Sequence, residues 1–227
     1  AAGSVRCEKE TAKDPPDSGA HIHAGWDTRE LLAYVESHQD AIVSANVRST
    51  SFAEASTHAL EDFFDVVRFQ IATPHAFTPD TFPGEVANIL QFFEIAGAIP
   101  SWNCSFDALE NRAGNLSEGA ILLASCFFPG FLHFEQNIPG RSPSVRHALR
   151  LRNSLSLHHS SILISTDKAA DGFIWLATDK VSMLLNFGPY PYLVPNDGRV
   201  LVSSLIELPE EGTNLVIPPG EAAWLRR

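Results

Sequence analysis

The apolar positions of the chain fall into two regimes that meet near Leu155. Up to that point short apolar runs alternate with helix-length segments. Asp27 or Thr28 can cap a helix running to His38, with Leu31, Leu32 and Val35 on one face. Ala41–Val47 reads as a strand, Phe52–Phe64 as a helix and Val66–Ile71 as a strand. After a loop rich in Pro and Phe, Pro83 or Gly84 opens a helix to Ala96, which Gly97 ends. Then come a strand at Ile99–Ser105, a helix at Ser117–Phe128 broken by Pro129-Gly130, and a strand at Phe131–Phe134. Strand, helix and strand of this length make one βαβ unit, the building block of parallel sheets. A basic helical segment, Ser142–Asn153, closes the first regime. The strands are short and apolar, as strands covered on both faces should be.

After Leu155 six strands follow, with no convincing helix: Ser161–Thr166, Gly172–Thr178, Val181–Phe187, Arg199–Ser204, Asn214–Ile217 and Ala222–Leu225. Asp171-Gly172, Gly188-Pro189, Asn196-Asp197-Gly198 and Pro218-Pro219-Gly220 punctuate them as turns. The predicted fold class is therefore α/β followed by all-β. A partial (β/α) barrel half with parallel strands precedes a small antiparallel β-sandwich. The expected organisation is a polar leader or linker over 1–25, the α/β region over 26–154 and the β-domain over 155–227. If the α/β part is barrel-like, the strand ends at Ser105–Asp107 and Glu135 are where chemistry would sit.

Composition narrows the function classes. An apolar share of 44% supports a packed core. A formal charge of −11 argues against nucleic acid as a partner, since phosphate binding needs a basic surface. No apolar run approaches the ~20 residues of a membrane span, and no signal peptide is visible. Of the three cysteines, Cys104 and Cys126 fall in predicted core segments, where a buried free thiol is ordinary. Cys7 lies in the polar leader and is the candidate for an intermolecular disulfide. Asn103 and Asn115 open glycosylation triplets, with Asn115 the better placed, and together these features tilt toward an extracellular setting. His21 with His23, and His158-His159, lack further ligands at metal spacing. No Gly-rich phosphate loop, paired-Cys zinc spacing or nucleophile elbow is present, and no cofactor is expected. Trp26, Phe77, Phe82 and Trp102 could stack on a sugar, but packing is the default for each.

Several of these segments also resemble the alpha-amylase superfamily, glycoside hydrolase family 13. Trp102 followed by Ser105-Phe106-Asp107 is similar to the family's seventh strand, which ends in Asn-His-Asp after a Trp. Leu122 to Gly130 resembles the Leu-rich helix end and Pro-Gly that follow it, and His133-Phe134-Glu135-Gln136-Asn137 stands at the end of the eighth strand. Arg146–Leu157 resembles the helix joining barrel and C-terminal domain. Val181 to Gly188 and Pro219 to Leu225 resemble two strands of that domain. The resemblance covers residues from about 24 to 227, and strands one to four of a full barrel have no counterpart.

The resemblance implies a glycosidase fold whose chemistry has drifted. The family's nucleophile is an Asp on the absent fourth strand. Its general acid, a Glu ending strand five, falls on Ser44-Ala45-Asn46-Val47, where Ala45 and Asn46 offer no carboxylate. Asp107 could be the third acid, but Phe106 replaces its His neighbour; Asp107, Glu110 and Glu135 read as surface or loop carboxylates. Two flanking carboxylates are needed for hydrolysis by this route, so the chain reads as a pseudoenzyme. Among relatives, it is most similar to the heavy chain of heteromeric amino-acid transporters, an ectodomain that uses a stalk cysteine to bridge a membrane partner. That resemblance implies a structural or partner-binding role, an extracellular or membrane-associated ectodomain, and Cys7 as the bridge. Two alternatives are an alpha-glucosidase-type hydrolase whose N-terminal half lies outside this chain, and a former enzyme kept as the scaffold of a larger assembly. All share one physical problem. Four parallel strands cannot close a barrel, so both sheet edges must be covered by another chain, another copy, or the leader and β-domain.

Overall fold

The computed structural model describes residues 5–10, 42–47, 66–70, 80–96, 99–104, 115–134 and 142–227. The expected helices over 27–38 and 52–64 lie outside the described residues. The chain divides into two compact units, residues 1–70 with 88–102 and residues 71–87 with 103–227.

The first unit holds strands β1 (Val5–Glu10), β2 (Ile42–Val47), β3 (Val66–Gln70) and β4 (Ile99–Cys104), hydrogen-bonded in that order. β2 and β3 run parallel, with Ala45 opposite Val67 and Asn46 opposite Arg68. β1 was not foreseen. It lies inside the segment read as a leader and pairs antiparallel along the whole of β2, from Val5 opposite Val47 to Glu10 opposite Ile42. Its signal is a six-residue alternation, Val-Arg-Cys-Glu-Lys-Glu, too short and too charged to stand out from polar surroundings.

Helix α1 (Phe82–Ala96) begins with Pro83 in its first turn, where the missing N–H costs nothing. Its first residue, Phe82, is fully buried, as is Trp102 in β4. Both are packed, and neither offers a surface ring to a sugar.

In the second unit, Ser117 caps α2 (Glu118–Phe127), its hydroxyl accepting from the Ala120 N–H at 3.0 Å. Every residue from Ala120 to Phe127 is buried, so α2 is apolar all round, as a central helix should be. Phe128 takes an extended conformation, Gly130 turns the chain at φ 86°, and β5 (Phe131–Phe134) follows. Helix α3 (Pro143–Leu155) starts at a Ser142 cap with Pro143 in its first turn, and ends at Ser156 in the left-handed conformation.

Eight strands follow: β6 (Leu163–Ser165), β7 (Phe173–Ala177), β8 (Val181–Asn186), β9 (Tyr192–Pro195), β10 (Val200–Ser203), β11 (Glu210–Glu211), β12 (Asn214–Ile217) and β13 (Ala222–Arg226). They form a five-stranded antiparallel sheet, order β10-β13-β8-β7-β6, and a three-stranded one, β11-β12-β9. Six strands were expected here and are found; β9 and β11 are additional. β9 is flanked by Pro191 and ends in Pro195, which a sheet tolerates because β9 is an edge strand. β11 is a single pair of glutamates, too short for any pattern. Two one-turn 3-10 helices, Leu157–His159 and Ala169–Asp171, were also unforeseen.

The larger sheet is covered on both faces. Phe173, Leu184, Ala223 and Leu225 meet Val194 and Ile217 of the smaller sheet in one core, which makes the pair a sandwich. On the opposite face Trp224 meets Phe127 of α2 edge-to-face, with centroids 5.3 Å apart. Leu176, Met183 and Trp224 sit in one cross-strand row on that helix side. This two-sided burial is why Val181–Phe187 is a nearly unbroken apolar run rather than an alternation.

Candidate functional site

The positions singled out by sequence divide into three groups. Ala45 and Asn46 lie near the carboxyl end of β2, between β1 and β3. At the register of Asn46 stand Arg6 on one side and Arg68 on the other, with no acid in that row. Neither an alanine methyl nor a carboxamide can give a proton to a leaving group. Ser105, Phe106 and Asp107 directly follow β4 and lie outside the described residues, as do Glu110 and Glu135, the latter directly after β5. Cys7 sits within β1 opposite Ala45, and Asn103 is the penultimate residue of β4.

Asn115 belongs to a built polar junction. Its Nδ2 donates to the Phe187 carbonyl at 2.7 Å. Leu116 beside it is buried, and the Ser117 N–H donates to the Gly220 carbonyl at 2.7 Å. The Ser117 hydroxyl donates to Glu221 Oε2 at 2.8 Å while it caps α2. The Ser204 hydroxyl donates to the same carboxylate oxygen at 2.6 Å and accepts from the Ala222 N–H at 2.8 Å. One carboxylate thus gathers two serines and pins the start of α2 to the last turn of the sandwich. Gly220 sits in the left-handed region at φ 82°, and a Cβ there would meet the Asn115 carbonyl at 2.3 Å. The junction holds one acid and no histidine, which suits a clamp rather than acid–base or nucleophilic chemistry.

A second polar cluster joins the two helices. Arg152 of α3 is buried and donates to the carbonyls of Cys126, Phe128 and Gly130 at the end of α2. A cation there also complements the negative end of the helix dipole. His158, on the adjoining one-turn helix, accepts from the Gly130 N–H through its carbonyl at 2.9 Å, and its ring lies 4.2 Å from that of His159. Desolvation, then the charges of His159 and Arg152, hold its pKa below the ordinary histidine value.

Sequence reasoning missed these roles. Arg152 is one of three arginines in a basic helix and Glu221 a lone acid beside a turn, so neither stood out in the sequence. Asn186 stood in the apolar run of β8. It is fully buried, donates to the carbonyls of Tyr190 and Ile217 at 2.9 and 3.0 Å, and accepts from the Gly188 N–H at 3.0 Å. Among the described residues no three His, Cys, Asp or Glu converge to hold a metal, and no helix is long and apolar enough to cross a membrane.

No protein family and no curated protein matches the sequence. Solved structures do match the fold. The α-amylase of H. orenii aligns with a TM-score of 0.54 at 13% identity, over 81% of this chain and 53% of that one. The trehalose-6-phosphate hydrolase of Bacillus licheniformis aligns with a TM-score of 0.57 at 9% identity, over 87% of this chain and 58% of that one. The fold is α-amylase-like. An Anoxybacillus α-amylase gives a TM-score of 0.51 at 13% identity, over 87% of this chain and 55% of that one. The chain therefore spans little more than half the length of the α-amylase-like structures it matches. Its antiparallel part resembles the C-terminal domains of these enzymes. At 9–13% identity the likeness is one of fold.

Proposed function

We propose that the chain is a catalytically inactive α-amylase-like protein with a structural or partner-binding role. In this reading its α/β part is the second half of a (β/α) barrel. The observation that carries it is the end of β2. A strand with the parallel neighbour β3 presents Ala45-Asn46 where the resemblance places the general acid. Hydrolysis by two flanking carboxylates loses its proton donor at that position, whatever Asp107 does. The expected result is that 4-nitrophenyl α-glucoside and starch are not cleaved by the native protein above the uncatalysed rate. Turnover that disappears in Asp107→Asn would overturn this.

The finer form of the reading is the role of a transporter heavy chain: an extracellular ectodomain bound to a membrane partner, with Cys7 as the disulfide and Asn115 or Asn103 carrying glycans. Mass analysis of the native material, before and after reduction, tests it. A second polypeptide released by reductant and mapped to Cys7 is expected; a chain unlinked under both conditions sinks it. Asn115 bears on the glycans through its bond to Phe187, which a glycan on Nδ2 would have to accommodate. A mass shift at Asn103 alone, or at neither site after amidase treatment, would assign Asn115 to the junction only.

A second reading is favoured by coverage, since the matched structures extend well beyond this chain. It is a glycosidase whose first half is carried upstream or by another polypeptide. The same mass map decides it, because peptides preceding Ala1 that supply strands one to four with the nucleophile Asp would be found; Ala45 and Asn46 within this chain speak against it.

A further inference from the structure

We infer that β1 is a built-in edge cap. It occupies, in antiparallel sense, the side of β2 on which a parallel barrel would place another parallel strand, so the chain closes this edge with its own segment Val5–Glu10.

Three observations carry the inference. The pairing is complete, with all six residues of β2 opposite all six of β1. Four of the six register pairs match in polarity, Val5 with Val47, Cys7 with Ala45, Arg6 with Asn46 and Glu8 with Ser44, while Lys9 and Glu10 stand opposite Val43 and Ile42. A one-residue slip in either direction would break those four matches. Finally, an antiparallel strand cannot continue the parallel series, and β1 carries four charged residues among its six. Charged edge strands resist further pairing, which is how sheets avoid edge-to-edge association. The β2 edge is thereby paired within the chain, and Cys7 is one of the ladder residues. The inference holds whether or not the chain is an enzyme.

The test is a register-specific cross-link in the full chain. Directly opposed strand residues have Cα separations of about 4.5 to 5.5 Å, within the range a disulfide spans. In Ala45→Cys, oxidised glutathione should take two hydrogens from the thiols of residues 7 and 45 and leave one disulfide within a single polypeptide. The control Ser44→Cys, which stands opposite Glu8 rather than Cys7, should link at least about tenfold less. A link between two copies, or free thiols at both positions, overturns the inference. Should the substitution disturb folding, Cys7→Pro gives an independent readout. It removes a ladder donor, and amide exchange across Ile42–Val47 should accelerate by about tenfold or more while α2 stays protected. Unchanged exchange in β2 would likewise overturn the inference.

Discussion

Replacing Arg152 with Met tests the joint between α2 and α3 most directly. Methionine fills much of the same volume, so the change removes hydrogen-bond donors rather than opening a cavity. Arg152 is only 4% exposed, and its guanidinium donates to three carbonyls: Cys126 at 2.8 Å, Gly130 at 2.5 Å and Phe128. The last carbonyls of a helix have no partner within it, so an external donor is required when the end is buried. Cys126 and Phe128 are fully buried, and losing a hydrogen bond from a charged donor to each costs about 1.5–3 kcal/mol. Gly130 is half-buried, so its bond contributes less. The expected loss is about 4 kcal/mol, a large part of the ~5–15 kcal/mol that holds a typical domain together. With a urea slope of about 2.5 kcal/mol/M, the midpoint should fall by about 1.5 M. Trp224, which packs edge-to-face on Phe127, gives a fluorescence signal for this unit. Arg152→Lys should recover about half of the loss, because an ammonium can satisfy a carbonyl but not fork across three. A midpoint shift below about 0.3 M in the Met variant would refute the argument, since the carbonyls would then be satisfied without the guanidinium.

Gly220→Ala should destabilise by about 3 kcal/mol in the same urea assay, because it combines φ 82° with a Cβ placed 2.3 Å from the Asn115 carbonyl; Gly198→Ala, with open space at φ 79°, should cost less. Asn186→Ala should cost about 2–4 kcal/mol by calorimetry, leaving the Gly188 N–H and the Ile217 carbonyl without their partner. Asn186→Asp should cost more at neutral pH, because a buried carboxylate would face two carbonyl oxygens. For His158, whose folded pKa lies below 6.5, the unfolded chain binds more protons as pH falls through that value. Its contribution is thus present above pH 6.5 and lost as pH falls toward the folded pKa. His158→Gln should flatten the decline of the thermal midpoint just below pH 6.5.

What could be read from the sequence follows from how many residues share each decision. The α2 segment is set by a Ser cap, an apolar run and a Pro-Gly stop, and its structural limits fall within one residue of those signals. The six recognised strands of the β-domain sit between Gly- and Pro-containing turns, and all six are present. β1 and β11 were missed because propensity in a short charged segment is weak and pairing supplies the rest. The polar junction was illegible for another reason. Ser117, Ser204 and Glu221 are far apart in sequence, and their meeting at one oxygen is a product of the fold. The resemblance placed Ala45 and Asn46 on a strand, and that strand is β2. It gave no warning that an antiparallel β1 would flank them.

A (β/α) barrel places chemistry at strand ends contributed by several strands, so each catalytic residue is fixed by a whole barrel and marked by no local pattern. On the proposed reading one carboxylate is lost there while the strand itself is kept. Ala45 and Asn46 still take their places in β2, paired on both sides. The β-domain behaves in the opposite way. Trp224, Asn186 and Gly220 each satisfy packing, hydrogen-bonding or backbone demands from more than one element, so changing one is felt by several. On the proposed reading an α-amylase-like fold sheds its acid and keeps its architecture, and its function is carried by surface. Leu163 on the edge strand β6, Tyr190 before β9 and Ile206 after β10 are each at least 70% exposed large apolar side chains on the second unit. Scattered apolar residues need no partner, but a partner of this unit would bury some of them. Hydrogen-exchange protection at these three positions in native material, against none in the isolated chain, is the signature a binding role requires.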